Sequence, residues 1–218
     1  ARKHIPFYLD FVSPYAWLAF ERMPQVLEGL SYQVTYRPVL LGALLQAHGN
    51  PGPAGIPPKR DWTYRHATWL GHSLGIPLQM PARHPFNPLA LLRRALACSA
   101  DGRINRYVAG TVLRHVWVGG EDALDPARLD ALAAALAPQM QPGLEPDSAE
   151  VKAMLRSNTD GAAAQGVFGV PAFGVDGKLF WGLDGLPMLR AWLENDAWFD
   201  AAWSAAGAVP NGLAAPRP

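Results

Sequence analysis

The order in which strand-like and helix-like patterns succeed one another is the tightest constraint on how this chain can fold. Residues 5 to 12 form an apolar run, interrupted by Pro6 and Asp10, that reads as a buried strand. From Pro14 to Leu30 the residues Trp17, Leu18, Phe20, Met23, Val26 and Leu27 recur at helical spacing. "YQVTYRPV" (32–39) alternates and is rich in β-branched and aromatic residues, as a second strand would be. A strand, a helix and a strand in this order predict a parallel pair joined by a right-handed crossover. From Leu41 to about Ala164 the pattern is helical, punctuated by the loop "NPGPAGIPP". Strand patterning returns at 171–182, where two short apolar runs flank Asp176-Gly177, a strong two-residue hairpin signal. "DGLPMLRAWLEN" follows as an amphipathic helix.

If the two ends close into one sheet, the middle is an insertion, and by analogy the architecture is an α/β thioredoxin-like fold with a large inserted α-helical domain. The expected boundaries are 1–40 with 165–200 for the discontinuous thioredoxin-like part, 41–164 for the helical part, and 201–218 for a loose tail. The 218 residues suffice for one domain of this kind, and with half of them apolar it can bury a full core. Only 17% are charged and the formal net charge is +1, with no basic cluster, which argues against a nucleic-acid partner and for a small molecule. The single Cys98 rules out an intrachain disulfide or a cysteine-rich metal site, and its apolar neighbours make it a small core residue. The opening "ARKHIPFYLD" shows no apolar signal region, and no apolar run reaches the roughly 20 residues of a membrane span. These features lead us to expect a soluble, cytoplasmic protein with no membrane partner.

In many α/β proteins of this strand–helix design, the slot after the first strand holds Cys-x-x-Cys. Here it reads Ser13-Pro14-Tyr15-Ala16, so no active-site disulfide can form. Ser followed by Pro is an expected N-cap and first-turn pair, as are Asn87-Pro88 and Asp125-Pro126. The same geometry suits a second task. A helix N-terminus favours an anion, and a hydroxyl there can donate to a thiolate brought by a cofactor. A charge-assisted hydrogen bond of roughly 1.5–3 kcal/mol would lower a thiol pKa from about 8.5 by one to two. Val170-Pro171 enters a strand, either as an ordinary strand start or as a cis-proline loop offering its backbone to a peptide-like ligand. Asp184 precedes the last helix, as a cap or as a free carboxylate for an ammonium group.

Four segments, "FYLDFVSPYAWLA", "RPVLLGALLQAHGNPGP", "HPFNPLALLRRAL" and "VFGVPAFGVDGKLFWGLDGLPML", together resemble the DsbA-like thioredoxin superfamily. More closely they resemble kappa-class glutathione transferases and the bacterial 2-hydroxychromene-2-carboxylate isomerases, over roughly residues 5 to 195. The resemblance implies glutathione as cofactor, Ser13 as the catalytic hydrogen-bond donor to its sulfur, and Val170, ahead of cis-Pro171, pairing with its cysteinyl backbone. Asp184 would take its ammonium, with Trp181, Gly182 and Leu183 forming that loop and Pro14, Tyr15, Asn50 and Lys59 nearby. Gln46, Asn50, Arg83, His84 and Asn87 would line the substrate pocket. Two positions depart from the pattern: Gln46 stands where many relatives have lysine, and Leu183 where transferases often have a small hydroxyl residue. The implied activity is a glutathione-dependent cis–trans isomerisation between a hydroxychromene carboxylate and an o-hydroxybenzylidenepyruvate, in aromatic catabolism and in a homodimer. Lys59, Arg65 or Arg83 would neutralise the carboxylate, His66 or His84 would move the phenol proton, and Trp62, Trp69 or Trp117 would floor an aromatic pocket, although each also reads as an ordinary surface or core residue. The alternatives are a kappa-class transferase or peroxidase, and a non-catalytic glutathione-binding protein. No metal is implied.

Overall fold

A computed structural model describes residues 2–213. Four strands, β1 (Lys3–Leu9), β2 (Tyr32–Pro38), β3 (Ala172–Val175) and β4 (Lys178–Trp181), form one sheet in the order β2-β1-β3-β4. The two ends of the chain therefore do close on each other. β1 and β2 are parallel across helix α1 (Pro14–Val26), whereas β3 is antiparallel to both β1 and β4. The β3–β4 hairpin turns at Asp176 (φ 50°) and Gly177 (φ 74°), the two positive φ values that the Asp-Gly pair predicts. The β1–β3 ladder pairs Phe7 with Phe173 and Tyr8 with Ala172, beginning one residue after Pro6, which has no N–H to contribute.

Between β2 and β3 run α2 (Leu41–Ala47), α3 (Pro57–Leu74), α4 (Leu89–Leu96), α5 (Arg106–Trp117), α6 (Pro126–Leu136) and α7 (Ala149–Ala164). The last helices are α8 (Leu186–Leu193) and α9 (Ala202–Gly207). Alternation along β1 sends Ile5, Phe7 and Leu9 into a buried cluster with Trp17 and Phe20 of α1, Phe173 and Phe180 of the hairpin, and Leu186 and Leu189 of α8. That cluster continues without interruption into Leu91, Leu92 and Leu96 of α4, and into Val112, Val116 and Trp117 of α5. Sheet and helical block thus share one core. On the second face of the sheet, Tyr8 and Ala172 meet Ala162 of α7 together with Val39, Leu44, Val167 and Val170. α7, expected to belong to the helical insertion, packs directly under the sheet.

Local signals shift by a residue or so. α4 starts at Leu89 with Pro88 as its flanking residue, and Asn87 Oδ1 accepts from the Leu89 N–H rather than capping from the position next to a helical proline. The stretch from 201 onward, expected to be loose, forms α9 at its start because Trp203 packs against Phe180 and Phe199. The remainder of the expected tail, 214–218, lies outside the described residues.

Asp10, fully buried just past β1, ties the first loop to the start of α2. Its Oδ2 accepts from the Leu41 N–H at 2.9 Å and its Oδ1 from the Val12 N–H at 3.3 Å. Burial pushes its pKa up to about 7, because desolvation outweighs the backbone N–H groups that favour the carboxylate. The folded state therefore holds a proton that the unfolded chain releases near pH 4, and stability falls as the pH rises from about 4 to about 7. Asp10→Asn, whose amide cannot accept from both N–H groups, is expected to lower the urea midpoint and flatten this slope, as denaturation at pH 4.5 and pH 7.5 would show.

Candidate functional site

Ser13 stands at the junction of β1 and α1 in extended conformation (φ −95°, ψ 117°), with Pro14 in the first helical position. Its Oγ accepts from the Ala16 N–H at 3.2 Å, the N-cap bond that the Ser-Pro pair predicts. The hydroxyl proton itself has no acceptor among the described residues. No acidic residue occupies the first turn of α1, so the positive end of its dipole is not offset within the helix. Ser13 is 6% exposed, which makes its environment one of low dielectric.

The loop carrying Ser13 is held from the helical block. Trp117 Nε1 donates to the Phe11 carbonyl at 3.0 Å, and His84 Nε2, 2.6 Å from the Val12 carbonyl, must carry the proton that it donates. His84 Nδ1 meets the Tyr64 hydroxyl at 2.5 Å, and that hydroxyl also reaches the His84 carbonyl at 2.8 Å. Arg60 donates to the same carbonyl at 2.8 Å while its guanidinium lies 4.9 Å over the Tyr64 ring. Burial lowers the His84 pKa ahead of the opposing Val12 contact, and Arg60 lowers it further, so the ring is neutral at pH 7. Both nitrogens are committed to protein groups. His84 therefore braces the Ser13 loop in this structure, and the expectation that it moves a substrate proton would require one of these bonds to open.

The other elements arrive at the same end of the sheet. Because Tyr8 of β1 pairs with Ala172 of antiparallel β3, the Val170–Pro171 bond lies level with the end of β1 from which Ser13 follows. That bond is cis, and among the described residues neither the N–H nor the carbonyl of Val170 has a hydrogen-bond partner. The Gly182 N–H donates to the Pro171 carbonyl at 2.9 Å, which brings Trp181, Gly182, Leu183 and Asp184 to the same edge. Gly182 has a φ of 85°, and a Cβ there would meet Asp184 Oδ1 at 2.7 Å, so only glycine lets this carboxylate fold back over the turn. Asp184 does not cap α8, whose flanking residue Gly185 makes no side-chain cap bond. It is exposed, and its charge adds to burial in raising the pKa of Tyr15 on the first turn of α1. The Tyr15 hydroxyl lies 2.9 Å from His66 Nδ1, and Trp62 stacks on the His66 ring, so α3 crosses the front of this end. Phe168 packs edge-on against the exposed Trp181 on the other side.

Ser13, Pro14, Tyr15, Val170, Pro171, Trp181, Gly182, Leu183 and Asp184 thus converge. Gln46, Asn50 and Lys59 are exposed on α2, the turn after it and the first turn of α3, and Asn50 Oδ1 accepts from the Gly52 N–H. Arg83 is 83% exposed and lies 3.6 Å from Asp122, and Asn87 sits in a separate cleft with Arg93, Arg94 and Asp147. Trp117 is wholly buried, whereas Trp62 and Trp69 are exposed on α3. Tyr64 and Arg60, which complete the His84 clamp, carry no signal in the sequence, since helical spacing does not say which loop a helix will cover. Cys98, half-buried past the end of α4, has its thiol pushed up to about 11 by burial, which disfavours the thiolate at neutral pH. Among the described residues no group of three metal-ligating side chains forms, and no helix is long and apolar enough to cross a membrane.

Comparison with known proteins agrees with this geometry. The DsbA-like thioredoxin domain matches residues 4–194. The chain belongs to that family. It is 28% identical over 203 residues to a 2-hydroxychromene-2-carboxylate isomerase of Sphingobium xenophagum, covering 88% of this chain and 98% of the relative. It is 27% identical over 212 residues to glutathione S-transferase kappa 1 of Rattus norvegicus, covering 91% and 93%. The fold superposes on a solved 2-hydroxychromene-2-carboxylate isomerase with a TM-score of 0.70 at 22% identity, over 92% of this chain and 98% of that one.

If His84 holds the Ser13 loop, His84→Ala leaves the Val12 carbonyl without its donor, at a cost of about 1–3 kcal/mol. Urea denaturation is expected to show that loss, and hydrogen exchange is expected to show the Ala16 amide, bonded to Ser13, losing protection more than amides of α6.

Proposed function

We propose that this chain is a glutathione-dependent isomerase that interconverts 2-hydroxychromene-2-carboxylates and their open-chain hydroxybenzylidenepyruvates, small aromatic substrates of the kind its bacterial relatives are named for. The observation that carries this reading is the uncommitted hydroxyl proton of Ser13 at a helix N-terminus, beside a cis Val170–Pro171 bond whose Val170 backbone has no partner. These groups fit a cysteinyl peptide: a donor for sulfur, an N–H and carbonyl for a backbone, and the exposed Asp184 carboxylate for an ammonium. When bound, glutathione supplies a thiolate, the reversible nucleophile that lets a conjugated double bond rotate.

Ser13 donates to the sulfur and favours its anionic form, aided by the positive end of α1, which no acid in its own first turn offsets. Val170 aligns the tripeptide by strand-like pairing, and Asp184 with Tyr15 fixes its far end. The His84 and Trp117 clamps hold Ser13 still while charge moves on and off the sulfur, so little rearrangement is required of the protein. Trp62 and the Phe168–Trp181 pair present aromatic faces suited to an aryl substrate.

A kappa-class transferase is the second reading, since the rat enzyme is as similar to this chain as the isomerase is. It would use the same thiolate but consume it. Ultraviolet difference absorbance on adding glutathione is expected to reveal a thiolate band near neutral pH. In Ser13→Ala that band should move alkaline by about one to two pH units. Glutathione should be recovered unchanged after turnover of a hydroxychromene carboxylate; stoichiometric conjugate instead would make the protein a transferase, and no saturable band would remove both readings.

A further inference from the structure

A second site emerges on the opposite side of the sheet. α7 covers the second face only near the Ser13 end, where Tyr8, Ala172 and Val170 are buried. Toward the start of β1 the face lies open. There His4, Pro6 and Gly174 floor a groove of ≈ 560 Å³, walled by Ser157, Asn158, Gly161 and Gln165 of α7 and by the 101–103 turn. A volume of that order is typical of small-molecule sites, roughly 300–1,000 Å³.

The groove's charges are unevenly matched. Asp176 is engaged by Lys3 at 2.7 Å and by the Trp192 indole at 3.0 Å. Asp101 Oδ1 accepts from the Arg103 N–H, and its Oδ2 lies 3.8 Å from Arg103 Nε on the exposed rim. Lys178 rests 4.2 Å over the Trp192 ring. Arg37, on edge strand β2 beside Tyr8, has no carboxylate partner among the described residues, and its Nε is shut off from solvent with no acceptor. That sealed Nε is out of reach of anything in the groove; what matters for the groove, which Arg37 lines, is a guanidinium charge with no carboxylate among the described residues bonded to it. The two acids of the lining, Asp101 and Asp176, are already engaged by Arg103 and by Lys3 and Trp192. His4 registers the imbalance: burial lowers its pKa, and the Arg103 and Arg37 charges lower it further.

We propose that this groove binds a small, multiply charged oxyanion, a phosphate ester or a polycarboxylate, with the Arg37 guanidinium as its principal anchor. The two terminal nitrogens of Arg37 are donors that a pair of oxygens can take up together end-on. Arg103 and Lys178 add charge from the rim and hairpin, and Ser157, Gln165 and the Tyr8 hydroxyl add neutral donors from α7 and β1. The site is separate from Ser13 and does not depend on glutathione.

Titration calorimetry at fixed ionic strength tests this, with pyrophosphate and citrate as probes and wild type compared with Arg37→Gln. Saturable binding of at least one probe is expected, weakened tenfold or more in Arg37→Gln, while the urea midpoint is retained. Preference for pyrophosphate identifies the phosphate class, and preference for citrate the polycarboxylates. Arg103→Gln, on an exposed turn that does not build the core, should weaken binding several-fold and serves if Arg37→Gln fails to fold. Absence of saturable heat with either probe, or equal affinity in the variants, overturns the proposal. So does a change of oligomeric state in Arg37→Gln, which would assign the groove to an interface between chains.

Discussion

Everything proposed for the Ser13 end rests on two donors reaching a loop from across the molecule. The indole of Trp117 and the imidazole of His84 satisfy the Phe11 and Val12 carbonyls, while Asp10 gathers the Val12 and Leu41 N–H groups from inside. A tight strand-to-helix loop carries polar backbone groups that cannot remain unpaired once buried, so each needs a partner with fixed geometry. The helical block supplies those partners, and for that reason it shares one continuous core with the sheet rather than resting against it. Ser13 inherits its position from residues more than seventy positions away.

With the loop so fixed, a serine stands where the Cys-x-x-Cys design puts a cysteine, and under the proposed function it takes on the task of stabilising a thiolate. Two features that stabilise a thiolate are present, a helix N-terminus with no acid in its own first turn and a hydroxyl whose proton is free. The sulfur is absent from the site, and the single Cys98 lies past the end of α4 with burial raising its thiol to about 11. Under the proposed function the thiol is imported, and a thiol that comes and goes serves reversible addition better than disulfide exchange, which needs two sulfurs in place.

Much of this was legible from residue order. The β-α-β opening, the Asp-Gly hairpin and the Ser13 cap each followed from local patterns whose physical causes are local, whereas the approach of Val170-Pro171 and Asp184 to one site was implied only by the family resemblance. His84 shows where that reasoning ended. The family resemblance implied that it is a substrate-pocket residue in the segment "HPFNPL", and the partners it has here, Val12 and the α3 residues Tyr64 and Arg60, lie on two other pieces of chain. Arg83 and Asn87 likewise sit in a plausible segment but face Asp122 and the start of α4. Trp203 drew an expected tail into a helix by finding Phe180 and Phe199, a contact that no periodicity encodes.

The sequence by itself excluded a dithiol–disulfide site at the strand–helix junction, because Ser13 and Ala16 stand where Cys-x-x-Cys would place its two sulfurs. It also determined the strands, the turn and most helices, since these answer to side-chain spacing, Pro and Gly. Only the tertiary structure decided which side chains hold the Ser13 loop, which face of the sheet α7 covers, and that Arg37 is left with a buried, unpaired donor. Those outcomes depend on hydrogen-bond partners and burial between segments distant in the chain, and neither is a property of any single stretch of it.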